Sequence, residues 1–280
     1  MVFLIVFGFG LMVGSFLNAF LYRLEVQQGL RSVAPKREKT GLSVFQGRSF
    51  CPHCGHQLSW QDLIPLVSFV MLRGRCRYCK GKISLQYPFV EFACGLLFVA
   101  TFSFVMENLL SVSFPQALYI LYLWAVVSAL LAVFVYDLKH YLIPDKILYP
   151  AISLVLLWQV LLQFQVVENL LSVSFWEALL SGLGATGFFL AIYLLSKGRA
   201  MGFGDVKLAL FMGLFLGFPN ILVALAFAFG AGALVGLVLI ALKRKTMRSE
   251  VPFGPFLVLG TLVVLFWGET LVNFYMSLVL

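Results

Sequence analysis

Charge is what this 280-residue chain has least of. Only 11% of its residues are Asp, Glu, Lys or Arg and its mean hydropathy is +0.98, where a soluble domain carries about 25% charged residues. A soluble globular protein is therefore excluded, and a polytopic membrane protein is implied. The first apolar run, Met1 to Tyr22, lacks a basic segment before it and a small-residue cleavage site within it. It is not a secretory signal; its basic residues follow it, as in a first spanning helix with its N-terminus outside. No glycine-rich nucleotide fingerprint follows a strand-like segment. Cysteine is also scarce, five residues in all, four of them in two close pairs.

The positive charge that is present is confined. Eleven Lys and Arg lie between Arg23 and Tyr87, opposed only by Glu25, Glu38 and Asp62, so this one region carries the whole net charge of +8. Such a distribution reports membrane topology, and nucleic acid is not an expected partner.

Apolar runs of spanning length fall at 2–22, 88–106, 117–136, 147–166, 176–195, 206–218, 220–242 and 254–275, the sixth being short. The expected fold is an all-α polytopic membrane protein of about eight transmembrane helices with a small four-cysteine insert. Its parts are a first helix at 1–22, a cytoplasmic zinc-binding insert at 23–87 and a seven-helix membrane domain at 88–280. With the N-terminus outside, every Lys and Arg falls in or beside the inside connections 23–87, 137–146, 196–205 and 243–253. The outside connections hold Glu107, Glu168 and Glu177 and no basic residue. That asymmetry supports both the orientation and the helix count. One segment, Glu-Asn-Leu-Leu-Ser-Val-Ser-Phe, occurs at 107–114 and again at 168–175, with no evident function.

Within the insert, Cys51-Pro52-His53-Cys54 and Cys76-Arg77-Tyr78-Cys79 form two C-x-x-C pairs. Each pair can chelate from one turn, and four thiolates make a closed tetrahedral zinc site; Gly55, Gly74 and Gly81 supply turns beside them. Disulfides are the competing reading, disfavoured in reducing cytosol. His53 and His56 are surplus once four cysteines fill the shell, and Cys94 is a small buried apolar residue.

Three carboxylates lie at the inside ends of helices: Asp137, Asp145 and Asp205. Asp145 follows Pro144 and opens a helix, so N-capping accounts for it; the same reading is open for Asp205. Asp137 ends a helix, where the macrodipole opposes a negative charge, although Lys139 lies nearby. Asp205 stands behind Gly202-Phe203-Gly204, glycines that permit a tight turn or a close approach. The helix count puts Asp137 and Asp205 at one face of the membrane. Two carboxylates meeting there would share one proton, the arrangement of an aspartic protease: one as base on water, the other as acid on the scissile carbonyl. A second reading is a proton relay in a transporter, since intramembrane acids often serve so, but transport sites sit nearer the midplane. A third makes the insert a docking module for an assembly complex.

Several stretches together resemble one known family: Gly14-Ser15-Phe16-Leu17-Asn18 with Tyr22-Arg23, the paired C-x-x-C insert and Tyr87-Pro88-Phe89-Val90-Glu91. Asp137 with Leu142-Ile143-Pro144-Asp145, and Gly202-Phe203-Gly204-Asp205-Val206-Lys207, complete the set. In this order, over nearly the whole chain, they resemble the type IV prepilin peptidases, bifunctional leader peptidase/N-methyltransferases of the GxGD aspartic protease class. The resemblance implies cleavage of the short basic leader of type IV prepilins or type II secretion pseudopilins, on the cytoplasmic side of the bacterial inner membrane. It also implies N-methylation of the new N-terminus by S-adenosylmethionine. It maps the catalytic pair onto Asp137 and Asp205 and gives Asp145 a recurring, non-catalytic place. Methyl transfer is assigned to the N-terminal part, with Glu91 and Gly95 as candidates, although the helix dipole alone also accommodates Glu91. Partners implied are the substrate pilins, the lipid bilayer and the pilus or type II secretion assembly machinery.

Overall fold

The computed structural model describes residues 1–30, 47–108, 114–164, 173–244 and 251–279. Both copies of the repeated segment, and the stretch carrying Arg31, Lys36, Arg37 and Lys39, fall largely or wholly outside them. Among the described residues the regular elements are helices: α1 (Val2–Gln27), α2 (Val67–Met71), α3 (Gln86–Asn108), α4 (Phe114–His140), α5 (Asp145–Gln163), α6 (Phe175–Leu195), α7 (Phe203–Leu216), α8 (Asn220–Ala241) and α9 (Gly254–Val279). Hydrocarbon offers no partner to a backbone amide, so a long apolar run satisfies itself only as a helix. Seven of these helices are long and apolar enough to cross a membrane. The eighth segment, α7, has 14 residues, about 21 Å of helix against roughly 30 Å of hydrocarbon.

The chain forms two compact units, Met1–Ser103 and Phe104–Leu280. In the first, α1 and α3 pack backbone to backbone. A Cβ placed on Gly10 would lie 2.7 Å from the Cα of Gly95, and one on Gly14 would lie 2.7 Å from the Cα of Glu91. The Gly10-x-x-x-Gly14 spacing thus makes the close seam that small residues allow between membrane helices. Helix α1 runs five residues beyond the expected boundary at Tyr22, and Tyr22, Arg23, Leu24 and Glu25 are all buried. The insert folds onto that extension: Arg23 donates to the Gly47 carbonyl at 2.7 Å and the Tyr22 and Phe50 rings meet at 5.6 Å. Asn18 Nδ2 donates to the Tyr87 carbonyl at 3.0 Å, fixing the start of α3.

In the second unit the short helix α7 is the core. Val206, Leu208, Ala209, Phe211, Met212, Leu214, Phe215 and Leu216 are all buried. A helix apolar on nearly every side is one enclosed by others: α5, α6, α8 and α9 pack against α7, and Tyr122 of α4 reaches Phe215. The α6–α7 contact is tight because Gly213 faces Gly182; a Cβ there would be 2.6 Å from the Gly182 Cα. Gln159 of α5 donates to the Leu214 carbonyl at 3.1 Å, and Tyr122 of α4 stacks on Trp158 at 4.4 Å. These contacts fix the far end of α7, so its N-terminal end is held at a defined place.

Candidate active site

Asp205 sits in the first turn of α7 and is 8% exposed; Asp137 sits near the end of α4 and is 4% exposed. Neither carboxylate is in an ion pair with a described Lys or Arg. They are close enough that the charge on Asp137 acts on Asp205. The Gly202 amide lies on the side of the Asp205 carboxylate, and the Gly254 amide on that of Asp137. Asp205 is the acidic residue of the first turn of α7, where the helix dipole favours its charge. Its structural role and its place beside Asp137 coexist.

The two motif glycines act through space, not through turn geometry. Gly202 is extended at φ −78°, ψ 153°, and Gly204 lies within the helix. A Cβ on Gly204 would come within 3.0 Å of the Ile143 Cβ, so the chain that approaches it closely is the protein's own α4–α5 connection. Ile143 is the shared neighbour, since its Cδ1 would also lie 3.2 Å from a Cβ on Gly254.

Gly254 is the residue that sequence reasoning missed. A Cβ there would be 2.5 Å from Asp137 Oδ2, a separation no side chain tolerates. Its signal in the sequence is Pro252-Phe253-Gly254-Pro255, which reads as the start of a helix. Nothing in that pattern says which carboxylate the glycine faces.

Asp145 does not cap α5 with its side chain. It is instead the partner of Lys207, whose ammonium also lies 5.2 Å from the Tyr149 ring centroid and 5.5 Å from that of Phe203. The capping expectation fails because helix α7 presents a cation one turn past its start, and a charge-assisted bond outcompetes a cap. The pair ties the first turn of α7 to the first turn of α5.

In the first unit, Cys51, Cys54, Cys76 and Cys79 converge, all four Sγ atoms within 4.8 Å of one another. Cys51 and Cys79 stand 3.8 Å apart, far longer than the ~2.05 Å of a disulfide and matching the ~3.8 Å between thiolates on a tetrahedral zinc with ~2.3 Å bonds. Each pair is a knuckle closed by a β-bridge, Phe50–Gln57 and Arg75–Lys82. Gly55 takes the left-handed turn at φ +72° in the first knuckle, but Lys80 takes it at φ +59° in the second. Gly81 is needed for another reason, because a Cβ there would be 3.1 Å from the His53 ring. His53 contacts the Lys82 carbonyl and His56 stacks on Tyr78; neither joins the cluster.

Beside the knuckles, Asp62 accepts from Ser59 and, at 2.7 Å, from Arg77. Burial opposes its ionisation, but the bonds from Ser59 and Arg77 outweigh that and hold its carboxyl below the usual value. A lowered carboxyl contributes stability above its unfolded pKa and loses it as pH falls through the folded one. Arg77 is 45% exposed, so the pair is worth less than about 1 kcal/mol. Asp62→Asn at neutral pH should therefore lower amide protection factors at 59–63 and 75–78 only slightly, and should remove the further loss of protection expected of wild type there as the pH falls.

Glu91 is 7% exposed and accepts from the Leu66 amide at 2.9 Å. Gly95, one turn along α3, lies in the helix seam, where a Cβ would be 2.7 Å from the Phe7 ring.

Comparison with known proteins adds the following. Residues 8–105 match the family model described as the bacterial peptidase A24 N-terminal domain, and residues 124–237 match that of the type IV leader peptidase family. The chain is 33% identical to the prepilin leader peptidase/N-methyltransferase of Legionella pneumophila, the alignment covering 98% of this chain and 94% of that one. It is 32% identical to the proteins of the same description from Stutzerimonas stutzeri, with 96% and 91% covered, and Aeromonas hydrophila, with 98% and 94% covered. No solved structure matches it.

Proposed function

The chain belongs to the type IV leader peptidase family, and from that premise we propose how its two activities are distributed over its residues. It is a multi-pass inner-membrane enzyme that removes the leader of prepilins and N-methylates the new amino terminus. The cleavage is assigned to Asp137 and Asp205. What supports this is one observation: two buried carboxylates from helices distant in sequence lie close enough for the charge on Asp137 to act on Asp205, and neither is matched by a described cation.

Like charges in such a place cannot both persist cheaply, so the pair holds one proton. The ionised member takes a proton from water as the water oxygen attacks the scissile carbonyl carbon. The protonated member gives its proton to the carbonyl oxygen. Collapse of the tetrahedral diol then breaks the C–N bond, with the proton delivered to the departing nitrogen. The pair acts as a unit, and roles belong to the pair and not to one residue. Irregular backbone such as that before α7 is tolerated at this depth only beside protein or water, and a hydrolytic site must admit water.

The orientation follows from the basic residues: N-terminus outside, with the insert and both aspartates on the cytoplasmic side. Pseudopilins are substrates of the same chemistry, and the pilus or type II secretion machinery is the assembly that receives the product. The four cysteines hold structural zinc. Reduced protein should contain about one zinc per chain, and chelation should raise amide exchange across residues 48–82 while leaving α7 unchanged. Protein purified reduced and free of zinc would overturn the metal assignment.

Methyl transfer is assigned to the N-terminal unit, with S-adenosylmethionine as donor. The donor supplies a methyl group on a positively charged sulfonium that becomes a neutral thioether when the methyl leaves. Glu91 acts at that site, and Gly95 serves it by holding α3 against α1.

A further inference from the structure

Unit one contains a cavity of about 460 Å³, within the range of about 300–1,000 Å³ usual for small-molecule pockets. Its wall is formed by the end of α1, the knuckles, the 3₁₀ turn and α2 of the insert, and the start of α3. The rings of Tyr22, Phe50, Phe69 and Tyr87 line it, as do Arg23 and the carboxylates of Asp62 and Glu91. Such a lining offers flat apolar faces for a base and a few convergent polar groups for orientation.

The two carboxylates differ. Asp62 is matched by Arg77. Glu91 is buried, and its hydrogen bond comes from a neutral donor, the Leu66 amide. Among the described residues no Lys, Arg or His forms an ion pair with it. A buried charge with hydrogen bonds but no counter-charge is incomplete. Leu66 holds φ +59° to deliver its amide, the kind of backbone strain that collects at ligand clamps. Glu91 is thus fixed in place at the cavity wall, with no cation paired to it among the described residues.

Resting on the methyltransferase reading above, we infer that this cavity is the S-adenosylmethionine site, with the Glu91 carboxylate facing the sulfonium. The rings receive the adenine. The zinc knuckles, through Cys51 and Cys76 in the same wall, fix the shape of the site without touching the chemistry.

Calorimetric titration of the zinc-loaded full chain in detergent, with S-adenosylmethionine and with the uncharged S-adenosylhomocysteine, tests this. Wild type should bind the sulfonium at least about tenfold tighter than the thioether, the loss expected when one charge-assisted contact is removed. Glu91→Gln, close in shape to the original, should bring the sulfonium down to the level of the thioether. Ala19→Phe, which fills the cavity, should weaken both ligands at least tenfold; unchanged zinc content in both variants checks the fold. If Glu91→Gln keeps the preference for the sulfonium or weakens both ligands equally, or if Ala19→Phe binds as wild type does, the inference is wrong. The methyltransferase reading would survive those results provided wild type still labels a cleaved pilin amine. Wild type that binds neither ligand and transfers no label would remove both.

Discussion

Asp137→Asn and Asp205→Asn should each reduce leader removal by at least about 10³-fold, within the 10²–10⁴-fold that positioned acid–base groups contribute. Neither change should unfold the protein. Asparagine matches aspartate in shape. The amides occupy the space that the carboxylates leave. What the substitution removes is the exchangeable proton and the charge, and hydrolysis needs both members of the pair to pass a proton in turn. Gel-resolved cleavage of a prepilin-like substrate in detergent, with zinc content and melting temperature as fold controls, measures the loss.

Gly254→Ala should have the next largest effect. The added methyl would sit 2.5 Å from Asp137 Oδ2 and 3.2 Å from Ile143 Cδ1, so either the carboxylate turns away or the start of α9 moves. Overpacking of this kind costs about 1–3 kcal/mol of stability. Displacement of a catalytic group by about 1 Å costs on the order of 10²-fold in rate. The loss should appear in kcat more than in KM, because the substrate's own contacts are untouched. Gly8→Ala and Gly230→Ala are the controls: nothing lies within 4 Å of a Cβ at either position. Both should be neutral or slightly stabilising, since alanine is the better helix former.

How much of this was legible beforehand depended on the length scale of the signal. Spanning helices announce themselves because hydrocarbon thickness sets their length, and the short run at 206–218 became the 14-residue α7. The cysteine pairs announce themselves because a knuckle is local. That Asp137 and Asp205 belong to one end of the bundle followed from counting helices, and in the structure the field of one reaches the other. Contacts between distant backbones left no such trace. The Lys207–Asp145 pair replaced a capping role that looked sufficient alone. Gly254 reads as a helix start until the fold sets it against Asp137. Gly204 reads as a place for a tight turn or a close approach, and the sequence does not say that the approaching residue is Ile143. The end of α1 escaped notice because Arg23 and Glu25 look like loop residues; the insert folding over them is what buries them.

Single-turnover cleavage by wild type, Asp137→Asn, Asp205→Asn and the double variant, in one detergent and with one substrate, tests the dyad most directly. Residues that act as one unit are strongly non-additive. The double variant should be no slower than either single variant within about threefold, because either substitution already removes the shared proton. A single variant that cleaves at the wild-type rate, or two losses that multiply in the double variant, would contradict it.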